Sequence, residues 1–292
     1  MTPAPRRVVD QGGGSRSEQS RDATDAGLFG PESVTWRVHG DPAMLLAGFR
    51  ALLLQAVHPL VMAGFDDNSF FRGDPWGRLQ RTGEWVSTVT YGTTTEAERA
   101  GALLRRVHAG LAPGVEPESG LSYRVDDPAL LLWVHCTEVE SFLSTYRRSG
   151  GRLRRGDGDR YVEEMRESAR LVGLDPSRVP AAEADIADYY TAVRPELRVT
   201  AVARRNVLWG FAPPMPRWVQ LVTPARPAWA GMVALAAAML PPWTRRLYGL
   251  PALPTTDLGA SLGGRLVRST AMLLPDSMVR SPSHRAARQR VA

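Results

Sequence analysis

Arg78 and Thr82, in the stretch "RLQRT", are residues whose types and spacing suggest chemistry. Residues four apart lie on one face of a helix, so the sequence predicts the guanidinium and the hydroxyl side by side. Trp85 follows on the same predicted helix, and an arginine beside an apolar wall suits a carboxylate anion at the edge of a pocket. A purely structural interpretation stays open, in which Arg78 pairs with a nearby acid and Thr82 bonds to its own helix.

His108, in "RRVHAGL", is a lone histidine on a later predicted helix. Leu104, Val107 and Leu111 place its imidazole on the apolar side of that helix. Such a histidine is typical of a satisfied core residue. It is also what a haem needs, because the porphyrin supplies the four equatorial nitrogens and the protein adds an axial ligand. Zinc or non-haem iron would need several ligands, and the sequence has no His-x-x-x-His or Glu-x-x-His pair.

His135, in "LWVHCTEVES", is a competing candidate ligand. It also lies among large apolar side chains. Glu138, three residues further on, is placed to hydrogen-bond the ring and fix its tautomer, which suits a metal ligand or a structural histidine. The residues alone do not choose between His108 and His135.

Composition excludes several other chemistries. All 36 basic residues are arginines, which removes a lysine general base and Schiff-base chemistry. Cys136 is the only cysteine, so an internal disulfide and a cysteine-based zinc site are excluded. The chain has no nucleophile elbow, no phosphate-binding glycine loop after a strand and no nucleic-acid-binding motif. We therefore expect no nucleic-acid partner.

The elements that must position these residues are predicted to be helices. Asp41-Pro42, Asp74-Pro75 and Asp127-Pro128 each have the pattern of an N-cap followed by proline in the first turn. Thr95 and Glu98 have the spacing of a capping box. Alternating strand patterns are nearly absent, so the predicted fold class is all-α. Further helices are predicted at about 159–172, 183–193, 200–210, 228–240 and 257–274.

One helical domain is predicted over residues 29–275, between two tails. Residues 1–28 lack a hydrophobic period and predict a disordered N-terminal tail, and residues 276–292 predict a basic, disordered C-terminal tail. The apolar run at 228–240 is too short to span a bilayer and predicts a buried helix, with contact to a membrane surface as the alternative. No apolar stretch follows Arg6-Arg7, so we expect a cytoplasmic protein, with membrane association as the second expectation.

Six segments of the chain occur in an order that resembles a known family. The resemblance covers roughly residues 30–250 and is to the rubber oxygenase (latex-clearing protein) and mycophenolic-acid-pathway oxygenase family, in particular its short actinobacterial members. The segments are "WRVHGDPAMLLAGFRALLLQAVHP", "FFRGDPWGRLQRT", "VTYGTTTEAERA", "RRVHAGL", "YRVDDPALLLWVHCTEVESFL" and "PPWTRRLYGLP".

The resemblance implies an all-helical, globin-like core that holds haem b. In that family the histidine after the Arg-x-x-x-Thr helix is the proximal iron ligand, which corresponds to His108. Arg78 and Thr82 correspond to the motif residues of the haem pocket and are the expected catalytic residues. Further residues expected around the cofactor are Arg81, Trp85 and His135.

From this resemblance we expect a haem-dependent oxygenase or oxidase that acts on a small apolar organic substrate with O2. The alternative is a haem-binding carrier or sensor without turnover, because a fold does not settle a function. Rubber cleavage is not expected. Its branch of the family has a lysine where this chain has Arg81, and a guanidinium does not accept a proton.

Overall fold

Helices make up 69% of the protein in the computed structural model, which describes residues 25–68 and 74–292. The β-structure of the described residues is a two-residue antiparallel pair, Gly114–Val115 (β1) with Ser122–Tyr123 (β2). The predicted all-α class is confirmed. The helices are Val34–His39 (α1), Met44–Gln55 (α2), Pro59–Asn68 (α3), Pro75–Tyr91 (α4), Thr94–Gly110 (α5), Pro128–Arg148 (α6), Asp157–Val172 (α7), Glu183–Val193 (α8), Ala201–Phe211 (α9), Arg217–Val222 (α10), Ala225–Ala238 (α11), Pro242–Leu247 (α12), Pro254–Ala271 (α13), Asp276–Val279 (α14) and Pro282–Arg290 (α15).

Two of the three predicted aspartate caps form as expected. Asp74 accepts a hydrogen bond from the Gly77 amide at 2.9 Å, and Asp127 caps α6 in the same way, each with proline in the first turn. The third differs, because α2 begins later, at Met44. Asp41 still accepts a hydrogen bond from the Ala43 amide at 2.9 Å, and it also forms an ion pair with Arg268 at 2.8 Å, which ties the start of α2 to α13.

The predicted capping box is wrong by two residues. Thr93, not Thr95, accepts from the Glu96 amide at 3.2 Å, and the Glu96 carboxylate accepts from the Thr93 amide at 2.8 Å. The physical reason is the preceding glycine, Gly92, which is extended and ends α4, so α5 begins immediately after Thr93. Glu98 is instead bound to Arg170 on α7.

The centre of the core lies between α2 and α6. Leu46 and Leu54 of α2 are fully buried with Trp133 of α6, whose indole N–H donates to the Gln55 carbonyl at 3.2 Å. The lone thiol of Cys136 is buried in the same cluster. α11 packs on α2, so the apolar run at 228–240 forms the predicted core helix, with Val233 and Ala236 among its buried residues.

No single helix in the described ranges is long and apolar enough to cross a membrane. One pair, α2 with α3, meets the length and composition criteria together, with a bend of 110° between its helices. The bend lies at Pro59, which begins the second helix and cannot continue the first.

Residues 276–292 are not the disordered tail that the sequence predicts. They include α14 and α15, and Ala287 of α15 is fully buried against Trp36 and Tyr91. Arg290 donates to the carbonyls of Tyr91 and Asp25, which fixes the end of α15. Because Ala287 is small, α15 packs closely against the rings of Trp36 and Tyr91. The arginine-rich composition of the segment gives no sign of this contact. Of the predicted tail 1–28, residues 1–24 lie outside the described part of the chain.

Candidate functional site

Arg78 is a cation without an acidic partner among the described residues. It lies half-buried in the first half of α4, with its guanidinium carbon 4.4 Å from the centre of the Phe65 ring on α3. Burial, and secondarily the charge of Arg81, lowers the pKa of Arg78 to about 10, so it stays protonated at neutral pH. A desolvated guanidinium that an aromatic face supports is suited to bind an anion.

Thr82 and Arg81 are occupied within their own helix. The Thr82 hydroxyl donates to the Arg78 carbonyl at 3.0 Å, which is the structural interpretation that the sequence left open. Arg81 is exposed and pairs with Asp74 at 3.1 Å. Trp85 is half-buried in a cluster of apolar residues that includes Val89 of α4. On this helix Arg78 is therefore the predicted site residue whose charge is available.

His108 lies in the last turn of α5 and is half-buried. Its Nδ1 is buried and has no hydrogen-bond partner within residues 25–68 and 74–292. Burial lowers the pKa of His108, and the nearby Asp126 carboxylate opposes that shift. The ring is therefore neutral at pH 7 and has a nitrogen lone pair available for a ligand bond.

The helix that carries His108 also has two exposed apolar side chains. Leu103 and Val107 are 56% and 50% exposed. Residues three and four apart share a helix face, so the apolar neighbours of the His108 ring along the chain are Leu104 and Leu111, both partly buried.

Contacts through α3 bring Arg78 and His108 to one region of the molecule. Phe65 lies against Arg78, and a Cβ built on the preceding Gly64 would be 3.6 Å from Cγ2 of Val125. The residue after Val125 is Asp126, the carboxylate that acts on His108. Arg78 and His108 therefore both have neighbours in the last part of α3 or in the segment packed against it.

His135 lies elsewhere in the core. It is buried on α6, and burial lowers its pKa to about 4. The predicted hydrogen bond to Glu138 does not form between these two described residues. Burial raises the pKa of Glu138 to about 7. The charge of this carboxylate adds to the effect of burial in raising the pKa of Tyr161 on α7. No contact among the described residues joins His135 to Arg78, Thr82 or His108.

The residues around His108 fit the demands of a haem. In the described ranges no group of three or more histidine, cysteine, aspartate or glutamate side chains is arranged to hold a metal ion, so a bare metal centre has no ligand set there. A haem needs one neutral imidazole, an apolar surface for its ring and a cation for its carboxylates. His108 supplies the imidazole, Arg78 supplies the cation, and Leu104 and Leu111 are the apolar side chains on the helix face of His108.

Two contributors to this region were missed by sequence reasoning. Phe65 supports Arg78, and Asp126 faces His108. Asp126 directly precedes the capping residue Asp127, and no sequence pattern distinguishes it as a neighbour of His108. Phe65 is brought to Arg78 by the α3–α4 packing, which a local pattern does not encode.

Comparison with known proteins gives one family. The family model described as ER-bound oxygenase mpaB/B'/Rubber oxygenase, catalytic domain, matches residues 36–272. No curated protein and no solved structure matches the chain.

Proposed function

Because the chain belongs to the ER-bound oxygenase mpaB/B'/rubber oxygenase catalytic-domain family, we propose that it is a haem b-dependent oxygenase or oxidase. The substrate class that we propose is a small apolar organic molecule, oxidised with O2. The observation that carries the haem proposal is the neutral imidazole of His108, whose buried Nδ1 has no partner among the described residues, together with the Arg78 guanidinium, which has no acidic partner in the same part of the chain.

In this proposal each residue has a role that follows from its surroundings. His108 would hold the haem iron through a ring nitrogen, and its neutral state keeps a lone pair available at physiological pH. Arg78 would bind a carboxylate of the cofactor, while Leu104 and Trp85 would exclude water. Haem, when bound, supplies the one-electron and O2 chemistry that these side chains lack.

Arg81 and Thr82 have a smaller part than the sequence predicts. Arg81 pairs with Asp74, and a guanidinium does not accept a proton. The Thr82 hydroxyl is bonded to the helix backbone. We propose that both residues hold the shape of α4 around Arg78, which also argues against rubber cleavage by this chain.

The optical spectrum of the protein expressed with haem supply tests the proposal. We expect a Soret band in the wild-type protein and its loss in His108→Ala, with recovery when free imidazole is added, because imidazole fills the space of the missing ring. His135→Gln is the matched control and should keep the band. Absence of the band in the wild-type protein, or an unchanged band in His108→Ala, would contradict the proposal, provided that circular dichroism shows the variants folded.

The alternative is a haem-binding carrier or sensor, which the same residues would also serve. Oxygen uptake with apolar alkenes and a reductant separates the two functions. Turnover that depends on His108 supports the oxygenase, whereas a stable spectrum without oxygen uptake supports the carrier or sensor.

We further propose that the protein contacts an anionic membrane surface through α13. Leu258, Leu262 and Leu266 lie four residues apart on one face of that helix and are 63%, 56% and 68% exposed. Residues 245–292 contain eight arginines and two aspartates, a local excess equal to the net charge of +6 of the whole chain. Exposed leucines next to a cationic segment are the combination that binds the interface of an anionic bilayer.

Flotation with vesicles tests the membrane proposal. We expect the full chain to float with vesicles rich in phosphatidylserine and not with neutral ones, and Leu262→Ser with Leu266→Ser to abolish flotation. Leu121→Ser makes the same chemical change at an equally exposed leucine of another element and should have no effect. Equal flotation with both vesicle types, or a self-associating chain that the double substitution makes monomeric, would contradict it.

A further inference from the structure

A cavity of about 720 Å³ lies away from the His108 region. Its walls come from the end of α2, from α9, α11 and α12, and from the start of α13. The volume is in the range of small-molecule binding sites, which are mostly apolar. The apolar side chains of the wall include Leu53, Val207, Phe211, Ala237, Leu240 and Leu247.

The charged residues of this cavity are all arginines. Arg204, Arg245 and Arg246 line it, and no aspartate or glutamate is among the lining residues. Arg204 and Arg246 are exposed, and neither has an ion pair with a described residue. Because they are both exposed and part of the wall, they lie where the cavity opens to solvent.

Arg245 is a built part of the wall rather than a surface side chain. It is fully buried, and its guanidinium donates to the Ala238 carbonyl at 3.1 Å and to Asp257 at 2.9 Å. Its Nε is buried without a partner. Burying a guanidinium with one donor unsatisfied is costly, and an anion near it recovers part of that cost.

We propose that this cavity binds a long-chain aliphatic carboxylate. The carboxylate lies at the mouth with Arg204 and Arg246, and the hydrocarbon chain fills the apolar interior. Arginine suits a carboxylate because its planar donors match the two oxygens, and burial of methylene groups drives the rest of the binding. A cation is disfavoured by the guanidinium groups, and a purely apolar ligand leaves Arg204 and Arg246 without a counter-ion, whereas Arg245 already pairs with Asp257.

This site is separate from the proposed haem site. None of the residues that line the cavity is Arg78, Thr82, Trp85, His108 or His135. Binding of the carboxylate therefore does not depend on haem, and either proposal can fail without the other.

Isothermal titration of the full chain with octanoate, decanoate and dodecanoate, below their micelle concentrations, tests the proposal. We expect saturable one-site binding whose dissociation constant falls by up to about fourfold for each added methylene. Dodecanol should bind at least about tenfold more weakly than dodecanoate, because it lacks the charge that the arginines recognise.

Three variants assign the binding to this cavity. The double substitution Arg204→Gln with Arg246→Gln should weaken dodecanoate at least about tenfold and leave dodecanol unchanged. Ala234→Trp, at an exposed position of the wall, should block both ligands. Arg285→Gln with Arg288→Gln removes the same charge from exposed positions of α15 and should leave both unchanged.

Several results would overturn the proposal. They are the absence of saturable binding, equal affinities for dodecanoate and dodecanol, and an equal loss in the α15 control. Thermal unfolding of each variant identifies any that fails to fold. If the double arginine variant does not fold, binding by Ala234→Trp decides, since unchanged dodecanoate affinity in that variant places the ligand elsewhere.

Discussion

Arg50 shows how a single polar residue organises the core. It is 1% exposed, and its guanidinium donates to both carboxylate oxygens of Glu140 at 2.6 and 2.9 Å and to the Met239 carbonyl at 2.9 Å. One side chain of α2 thus binds α6 and the end of α11. A buried charge with this many partners specifies one packing of three helices, because any shift leaves it unsatisfied.

Replacing Arg50 should therefore be costly. We expect Arg50→Met to lower the free energy of unfolding by about 3 kcal/mol, because the Glu140 carboxylate loses two donors, while the Met239 carbonyl keeps Arg148 as a donor. Urea denaturation measures it. Arg160→Met, which removes a guanidinium that is 57% exposed and that binds Glu164 of the same helix and the Glu32 carbonyl, is the control and should cost less than about 1 kcal/mol. Equal losses of stability in both variants would show that the buried position of Arg50 does not increase its contribution to stability.

Residue identities predicted part of the candidate site. "RLQRT" and "RRVHAGL" pointed to Arg78 and His108, which remain the predicted residues of the candidate site. The sequence did not separate Arg78 from Thr82, because the alternative of a hydroxyl bonded to its own helix leaves no mark in the pattern. It also did not separate His108 from His135, since burial and the missing partner of Nδ1 are properties of packing.

At the scale of elements, α5 and α7 approach closely because one of them has a glycine at the contact. A Cβ on Gly101 would lie 3.0 Å from the Leu171 carbonyl oxygen and 3.1 Å from its Cβ. Arg105, one turn further along α5, donates to the same carbonyl at 2.6 Å. The position of α5, and with it His108 at its end, depends on this contact.

A larger residue at this contact should separate the two helices. We expect Gly101→Val to lower stability by about 1–3 kcal/mol, because it overpacks the α5–α7 contact. Gly259→Val is the matched control, since a side chain there meets nothing within 4 Å, and it should change stability by less than about 0.5 kcal/mol. Thermal or urea unfolding gives both values. If Gly101→Val left the stability unchanged, α7 would be able to shift and accept the larger side chain at little cost.

Element types and most boundaries followed from local signals, and the exceptions have a physical cause. The helix predicted at 183–193 has those bounds in the structure. The capping box differs from the prediction because three threonines follow Gly92 and the first of them, Thr93, is the N-cap. The C-terminal segment formed a helix because Trp36 and Tyr91, far away in sequence, offer it a surface. Local propensity does not contain that surface.

At the scale of the whole molecule, buried neutral histidines set the response to acid. Burial lowers the pKa of His39 to about 3, and its ring is bonded to Thr90 and Tyr161 at 2.8 and 2.9 Å. Burial lowers the pKa of His135 to about 4. In the unfolded chain both histidines take up a proton near pH 6.5. Their contribution to stability is thus complete above pH 6.5 and is lost as the pH falls towards 4.

Urea unfolding at pH 7 and pH 5 tests this dependence. Each of the two histidines should contribute up to about 1.4 kcal/mol of lost stability per pH unit below 6.5, and His39→Gln should remove one such share. Glu138 acts in the opposite sense, because its folded pKa of about 7 lies above the ordinary value of 4.5, so its protonation stabilises the fold as the pH falls. Glu138→Gln should therefore steepen the loss. A flat profile in the wild-type protein would contradict the burial of these rings.

The lone, buried thiol of Cys136 can report how often the centre of the fold opens. It is 1% exposed on α6, and the burial raises its pKa, so a thiol-specific reagent meets neither an accessible nor an ionised sulfur. Because the chain has no second cysteine, the rate at which the reagent labels Cys136 measures how often α2 and α6 separate. A ligand that binds only the folded protein should lower the labelling rate of Cys136. A colorimetric labelling assay can therefore rank candidate ligands without knowledge of the reaction.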